Sequence, residues 1–228
     1  IIAWSGNNYV NNPKVRDRIE KKEILDFGYD NSLNYELIAS LKPDLVVAYG
    51  IRGQVASYIQ KLSDLGIQPI IVAEYLEDHP LGKLEWIKLM AALYEKENLA
   101  QEYFDKKAVE YNKLAQLANK LEKKPKILLG LPWKSTWYVP GGQSFLAKMI
   151  SDAGGDYIWK ENESRESLPF GIESVFAMAS DADIWINTGT VNNKQDIIKM
   201  DERFKDFTPF QNSKIYNNNQ QINEAGGN

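Results

Sequence analysis

Ile1-Ile2-Ala3-Trp4 is an apolar run of strand length, and a second such run, Ile24-Leu25-Asp26-Phe27, closes at Gly28. Asn34 is placed to cap a helix whose first turn carries Glu36 and whose apolar positions are Leu37, Ile38 and Leu41. Pro43 ends that helix, because a proline disfavours helical geometry in the residue before it, Lys42. Asp44-Leu45-Val46-Val47-Ala48-Tyr49 then runs to Gly50, apolar on both faces as a central parallel strand would be. A helix over about 54–65, broken by Gly66, and a strand at Pro69-Ile70-Ile71-Val72-Ala73 complete a βαβαβ succession. That order predicts a parallel sheet with helices on its faces.

Between Lys83 and Lys124 there is neither Gly nor Pro. Ala100, Phe104, Ala108, Tyr111, Ala115 and Ala118 recur in steps of three and four, the mark of a helix with one buried stripe. Glu95-Lys96-Glu97-Asn98 has no apolar member, so a break is expected there, with a short helix before it. After it comes a long helix of about 26 residues, or ~39 Å at the standard rise. Such a helix is either a rigid spine between two α/β segments or a long surface helix. Beyond Pro125 the strand-and-helix pattern restarts: Lys126 to Leu131 as a strand, Ser144 to Ile150 as a helix ending before Gly154-Gly155, and Ile172 to Ala179 as another helix. Asp183 to Asn187 and Lys214-Ile215-Tyr216 read as the last strands. The two halves also echo each other. Glu36 and Glu173 each begin a helix leading to an Asp (Asp44, Asp183), an apolar strand, and a Gly six residues after the Asp (Gly50, Gly189).

Composition narrows the chemistry. The 228 residues are 43% hydrophobic and 25% charged, a globular balance that excludes disordered and fibrous classes. No apolar run reaches the ~18 residues of a membrane-spanning helix. A net charge of −4 with no basic tract disfavours nucleic-acid binding. No Cys is present and His79 is the single histidine, which leaves little material for thiolate chemistry, Cys- or His-based zinc sites, or a Ser-His-Asp triad. Asn is frequent, which reflects either biased base composition or a polar binding role. With 26 aromatic residues, the composition leans toward a binder.

Asn34-Tyr-Glu-Leu-Ile-Ala-Ser-Leu-Lys-Pro-Asp-Leu-Val-Val-Ala-Tyr-Gly50 resembles the N-lobe signature of the periplasmic binding proteins that serve iron-chelate, haem and cobalamin ABC importers. The stretch from Tyr138 to Trp159, with Gly141-Gly142-Gln143-Ser144 and Gly154-Gly155 in it, resembles the C-lobe signature of the same family. Ser180 to Ile186 and the closing Asn223-Glu-Ala-Gly-Gly-Asn228 are also similar. The resemblance implies two Rossmann-like α/β lobes with parallel sheets, joined by one long rigid helix: an N-terminal lobe over 1–82, a short helix and the spine over 83–123, and a C-terminal lobe over 124–228. It implies a ligand held between the lobes, no catalysis, no intrinsic cofactor, and a monomer that docks transiently on an ABC permease dimer. It also implies a periplasmic or lipid-anchored location, further N-lobe strands before Ile1, and a helical portion after Asn228.

Ligands of open α/β sheets sit beyond the carboxyl ends of the strands. The loops there are Ser5 to Tyr9, Tyr49 to Gly53, Leu131 to Tyr138 and Thr188 to Thr190. Their aromatic side chains suit flat chelates and macrocycles, and arginines suit propionates or anionic chelate oxygens. The expected ligand-binding residues are therefore Ser5, Tyr9, Tyr49, Arg52, Trp133, Trp137, Tyr138, Arg165 and Thr188. Trp4, Trp159 and Trp185 are expected in the core, and His79 in a loop. From the resemblance, Glu173 and Glu85 are the carboxylates that would meet the permease; as residues they also read as acids favoured at helix N-termini.

The expected cargo is an iron chelate, a ferric siderophore or haem, with a corrinoid as the alternative. Two other classes remain. A bare zinc or manganese carrier would need clustered His and carboxylates. A two-lobe enzyme such as a transferase would need an anion cradle, for which Gly141-Gly142-Gln143-Ser144 ahead of a helix is the one candidate.

Overall fold

A computed structural model describes residues 1–29, 32–49, 55–219 and 222–226, with the backbone alone at 55–57. The fold is mixed α/β, with parallel sheets and one long helix. It divides into two units, Ile1–Ala73 with Gln220–Asn228, and Glu74–Asn219.

In the first unit β1 (Ala3–Trp4) is followed by α1 (Pro13–Glu20) and β2 (Leu25–Asp26), and the two strands pair in parallel. The side chain of Asn12 caps α1 by accepting from the N–H groups of Lys14 and Val15, and Pro13 sits at the first turn, where no N–H is needed. α2 (Tyr35–Leu41) starts at Asn34, whose Oδ1 accepts from the Leu37 N–H at 2.9 Å, and stops at Lys42, left-handed at φ 46° ahead of Pro43. β3 (Val46–Tyr49), α3 (Val55–Asp64) and β4 (Pro69–Val72) form a second parallel pair. Among the described residues these are two separate two-stranded sheets. Ile38, Leu62 and Ile67 form the core, with Phe27, Tyr35, Val46 and Tyr58 packed against it. β3 therefore does not have the two buried faces its apolar run suggests. Ala48 is buried while Val47 and Tyr49 are exposed, because the strand alternates and α2 and α3 supply apolar cover to one side.

The second unit opens with α4 (Pro80–Glu85), α5 (Ile87–Ala92) and α6 (Glu97–Ala118). The break falls at Glu95, left-handed at φ 54°. The predicted stripe from Ala100 to Ala118 is the inward face of α6, each member buried or half-buried. At 22 residues, ~33 Å, α6 is shorter than the sequence suggests. Past Ala118 the chain is mostly polar, and the N–H groups of Lys120 and Leu121 fold back onto the carbonyls three residues earlier.

The chain continues through β5 (Lys126–Leu129), β6 (Thr136–Pro140), α7 (Phe145–Asp152), β7 (Asp156–Tyr157), β8 (Ser167–Gly171), α8 (Ile172–Ala179), β9 (Ile184–Ile186), α9 (Lys194–Met200), α10 (Thr208–Gln211) and β10 (Ile215–Tyr216). Four of these strands make one parallel sheet in the order β10-β9-β5-β7. β6 and β8 pair antiparallel beside it, where the sequence suggests a loop as far as Tyr138. An aromatic core fills the unit: Trp137, Trp185, Phe204 and Phe207 are fully buried, with ring centroids 5.4–5.9 Å apart wherever they meet.

Candidate functional site

The parallel register of the second unit brings three strand ends to one place. Leu129 of β5 lies opposite Ile186 of β9, and Ile186 lies opposite Tyr216 of β10. The segments Gly130–Trp133, Asn187–Asn192 and Asn217–Asn219 therefore leave the sheet side by side, at the edge where ligands of such sheets are held. The indole N–H of Trp137 donates to the Leu129 carbonyl at 2.9 Å, and that of Trp185 donates to the Gly130 carbonyl at 2.7 Å. These two bonds fix the point at which the first segment leaves.

That segment ends in a tight turn. Trp133 and Thr136 exchange backbone hydrogen bonds around Lys134, which is left-handed at φ 57°. The turn holds Trp133 outward, 65% exposed, with the Lys134 ammonium 4.5 Å from its ring centroid. Trp137, expected beside it on the ligand surface, is 0% exposed and belongs to the core instead. The cause is strand geometry: in β6 successive side chains alternate, so Trp137 and Val139 point inward and Tyr138 outward. Thr188, also expected on the ligand surface, is buried at 2% exposure within the segment that follows β9.

In the first unit the ends of β1 and β2 are stitched together. Ser5 Oγ donates to the Gly28 carbonyl at 2.8 Å, and the Asp26 carboxylate accepts from the N–H groups of Asn7 (2.9 Å) and Gly28 (2.8 Å). Ser5 thus spends its hydroxyl on the loop. Tyr9 and Tyr29 meet above it with ring centroids 5.4 Å apart, both exposed. They close over Gly6, where an added Cβ would lie 2.9 Å from the Tyr29 ring and 3.0 Å from that of Tyr9. Tyr29 was not among the expected residues; its place one residue past Gly28, at a strand's carboxyl end, is the signal that marks it. Trp4, expected in the core, is 43% exposed, because β1 is two residues long and among the described residues pairs only with β2. Tyr49 is exposed at the end of β3, its carbonyl accepting from the Tyr58 hydroxyl at 2.5 Å. Arg52 lies outside the described residues.

The remaining expected residues have structural partners. Arg165 pairs with Asp78 at 3.0 Å, both well exposed. Such a surface pair contributes on the order of 0–1 kcal/mol, so an anionic ligand could take the guanidinium at little cost. Glu173 is exposed in the first turn of α8 and lies 3.5 Å from Arg203, whose guanidinium also binds Asp201 and stacks on Phe176. Glu85 pairs with Lys88 at 2.8 Å. His79 caps α4, its Nδ1 accepting from the Leu81 N–H at 3.1 Å, and its ring packs against Tyr111. Trp159 and Trp185 are in the core as expected.

The Gly141–Ser144 segment is occupied by the protein itself. The Gly141 N–H donates to the Glu166 carbonyl and the Gln143 N–H to the Ser164 carbonyl, each at 3.0 Å. A Cβ at Gly142 would sit 2.3–2.7 Å from the carbonyl oxygens of Asn162, Lys160 and Trp159. These glycines admit a crossing backbone rather than an anion.

The family model described as periplasmic binding protein matches residues 4–221. An uncharacterized lipoprotein of Methanocaldococcus jannaschii is 36% identical over 176 residues, 75% of this chain and 41% of that protein. A second lipoprotein of that organism is 25% identical over 90% of this chain and 54% of its own length. The chain thus spans about half the length of these relatives. Among solved structures, the periplasmic haem-binding protein HutB of Vibrio cholerae superposes with a TM-score of 0.74 at 19% identity, over 99% of this chain and 83% of that one. A possible iron-binding periplasmic solute-binding protein of Staphylococcus epidermidis gives 0.73 at 20% identity, over 96% and 81%. Those two likenesses speak to the fold, and the family match covers nearly all of the sequence: the chain belongs to the periplasmic binding protein family.

Proposed function

We propose that this chain is the solute-binding part of an ABC importer whose cargo is an iron chelate, haem or a ferric siderophore. The observation that carries the reading is the exposure of large aromatic side chains at the carboxyl ends of parallel strands in each unit: Tyr9 and Tyr29 in the first, Trp133 in the second. Exposed rings at such positions give flat walls for a large planar or catecholate ligand, and each would bury substantial area on binding. Lys134 and Arg165 supply cations for propionates or chelate oxygens. HutB, with a similar fold, binds haem. A corrinoid, which is also a broad macrocycle, is the alternative cargo.

The same reading assigns binding without catalysis, an envelope location with or without a lipid anchor, and docking on a permease through Glu173 and Glu85. Lipoprotein relatives favour the location. The transferase reading loses its anion cradle, since the N–H groups of Gly141 and Gln143 are spent on backbone carbonyls.

The test uses the full-length protein and a titration with haemin, ferric enterobactin, ferrioxamine B and cyanocobalamin, followed by tryptophan fluorescence. Saturable quenching by one of them at submicromolar concentration, weakened at least about tenfold by Trp133→Ala or Tyr29→Ala, is the expected result; a lost aromatic contact of ~1.4 kcal/mol corresponds to that factor. A folded protein that none of the four quenches refutes the chelate assignment.

A further inference from the structure

The segment after β9, residues 187–193, forms neither helix nor strand. Asn187 (φ 53°) and Gly189 (φ 66°) are both left-handed, so the chain leaves the sheet by an irregular path with no ladder to take its carbonyls. Three consecutive asparagines follow β10, the neighbouring strand. Asn217 and Asn219 are half-buried while Asn218, between them, is exposed. Asn217 Nδ2 donates to the Gly189 carbonyl at 2.6 Å and lies 3.3 Å from that of Val191. Asn219 Nδ2 donates to the Val191 carbonyl at 3.0 Å and to Asn192 Oδ1 at 2.9 Å. Among the described residues the backbone adds a bond from the Asn187 N–H to the Tyr216 carbonyl at 3.0 Å.

We propose that Asn217 and Asn219 are positioning residues that set the Gly189–Asn192 segment in its binding shape before ligand arrives. The inference rests on the solute-binding reading, because that segment borders the strand ends on which Trp133 stands. Carboxamides suit the task. Each offers two N–H donors to carbonyls, carries no charge that would repel an anionic ligand, and is too short to reach elsewhere. A segment left free would reach the binding shape for only a fraction of the time, and apparent affinity would fall by that fraction.

The test is Asn217→Asp with Asn219→Asp in the full-length protein. Aspartate keeps the size and shape but replaces the donors with oxygens that face carbonyl oxygens. Asn218→Asp adds one negative charge on the exposed side and serves as the charge-matched control for Asn219→Asp, the double variant adding two. Two readouts are made: affinity for whichever of haemin, ferric enterobactin, ferrioxamine B or cyanocobalamin the wild type binds, and amide hydrogen exchange of residues 188–192 without ligand. The expected result is about tenfold weaker binding, with faster exchange confined to 188–192 and Asn218→Asp equal to wild type. A merely structural bond would lower the melting temperature and leave the affinity of the folded protein unchanged. Unchanged exchange at 188–192, or wild-type affinity in the double variant, overturns the proposal. If the double variant fails to fold, Asn219→Asp alone carries the same two readouts. If the wild type binds none of the four, the cargo assignment fails and the exchange arm still decides the clamp.

Discussion

Gly142 is a residue at which the fold leaves no room for a side chain. Three carbonyl oxygens stand within 2.7 Å of where its Cβ would be, and all belong to backbone that cannot rotate away. Gly142→Ala is expected to destabilise the second unit by about 3 kcal/mol, the upper range for overpacking, measured by chemical denaturation; a loss below about 0.5 kcal/mol would contradict the packing described. Asp152 gives a second residue-scale prediction. Burial opposes its ionisation, but hydrogen bonds from Lys148 and Tyr111 and the nearby charges of Lys148 and His79 outweigh that and hold the carboxyl below its usual value. The same contact, together with burial as the larger cause, raises the Tyr111 hydroxyl. An acid depressed in the folded state stabilises it above the unfolded value, about 4, and that contribution disappears as the pH falls through the folded value. Asp152→Asn should therefore lose less melting temperature than the wild type between about pH 7 and pH 3, and an equal loss in both would remove Asp152 from the acid response. Single residues also show the limit of reading a sequence: Trp133 and Trp137 flank the same short polar stretch, yet one is exposed and the other fully buried.

Elements were legible at several points where a local cause sets them, although α1 and α9, capped by Asn12 and Asn193, went unread. Asn34, Pro43, Gly66 and Ser144 each act over three or four residues, and the helices they bound lie within one or two residues of the pattern. Asn34→Ala should accordingly cost about 1 kcal/mol, seen as faster hydrogen exchange in α2 with α7 unaffected. α7 makes the same point at its other end: Gly154 is left-handed at φ 81° and the Gly155 N–H returns to the Ile150 carbonyl at 2.8 Å, so the helix stops where the glycine pair stands. Pairing escaped as well. β6 and β8 are separated by α7 and β7, and Trp137-Tyr138-Val139 alternates over too few residues to announce a strand without its partner Leu168-Pro169-Phe170. The Asn-rich tail was visible as composition only; its use as a set of loop clamps depends on β10 lying beside β9.

At the scale of the molecule the two units differ in what holds them. The second has an aromatic core of fully buried Trp and Phe side chains under a four-stranded sheet. The first, among the described residues, rests on Ile38, Leu62 and Ile67 between two-stranded pairs. Local stability follows buried apolar contact, so amide exchange should be slowest in β5, β9 and α8 and markedly faster in β1 to β4. Equal protection in both units would show that the small core is not what limits the first. The sequence by itself determined the α/β class, the boundaries of α2, α3 and α7, the family resemblance and the strand ends at which a ligand surface would lie, because periodicity, capping and chain-breaking residues act over a few positions. Tertiary structure alone decided which tryptophan faces solvent, that Tyr29 joins Tyr9, that the Gly141-Gly142 pair admits backbone instead of an anion, and that asparagines after one strand hold the loop after another. Each of those depends on which strand lies next to which, and strand pairing is settled by burial of the whole core rather than by any neighbouring residue.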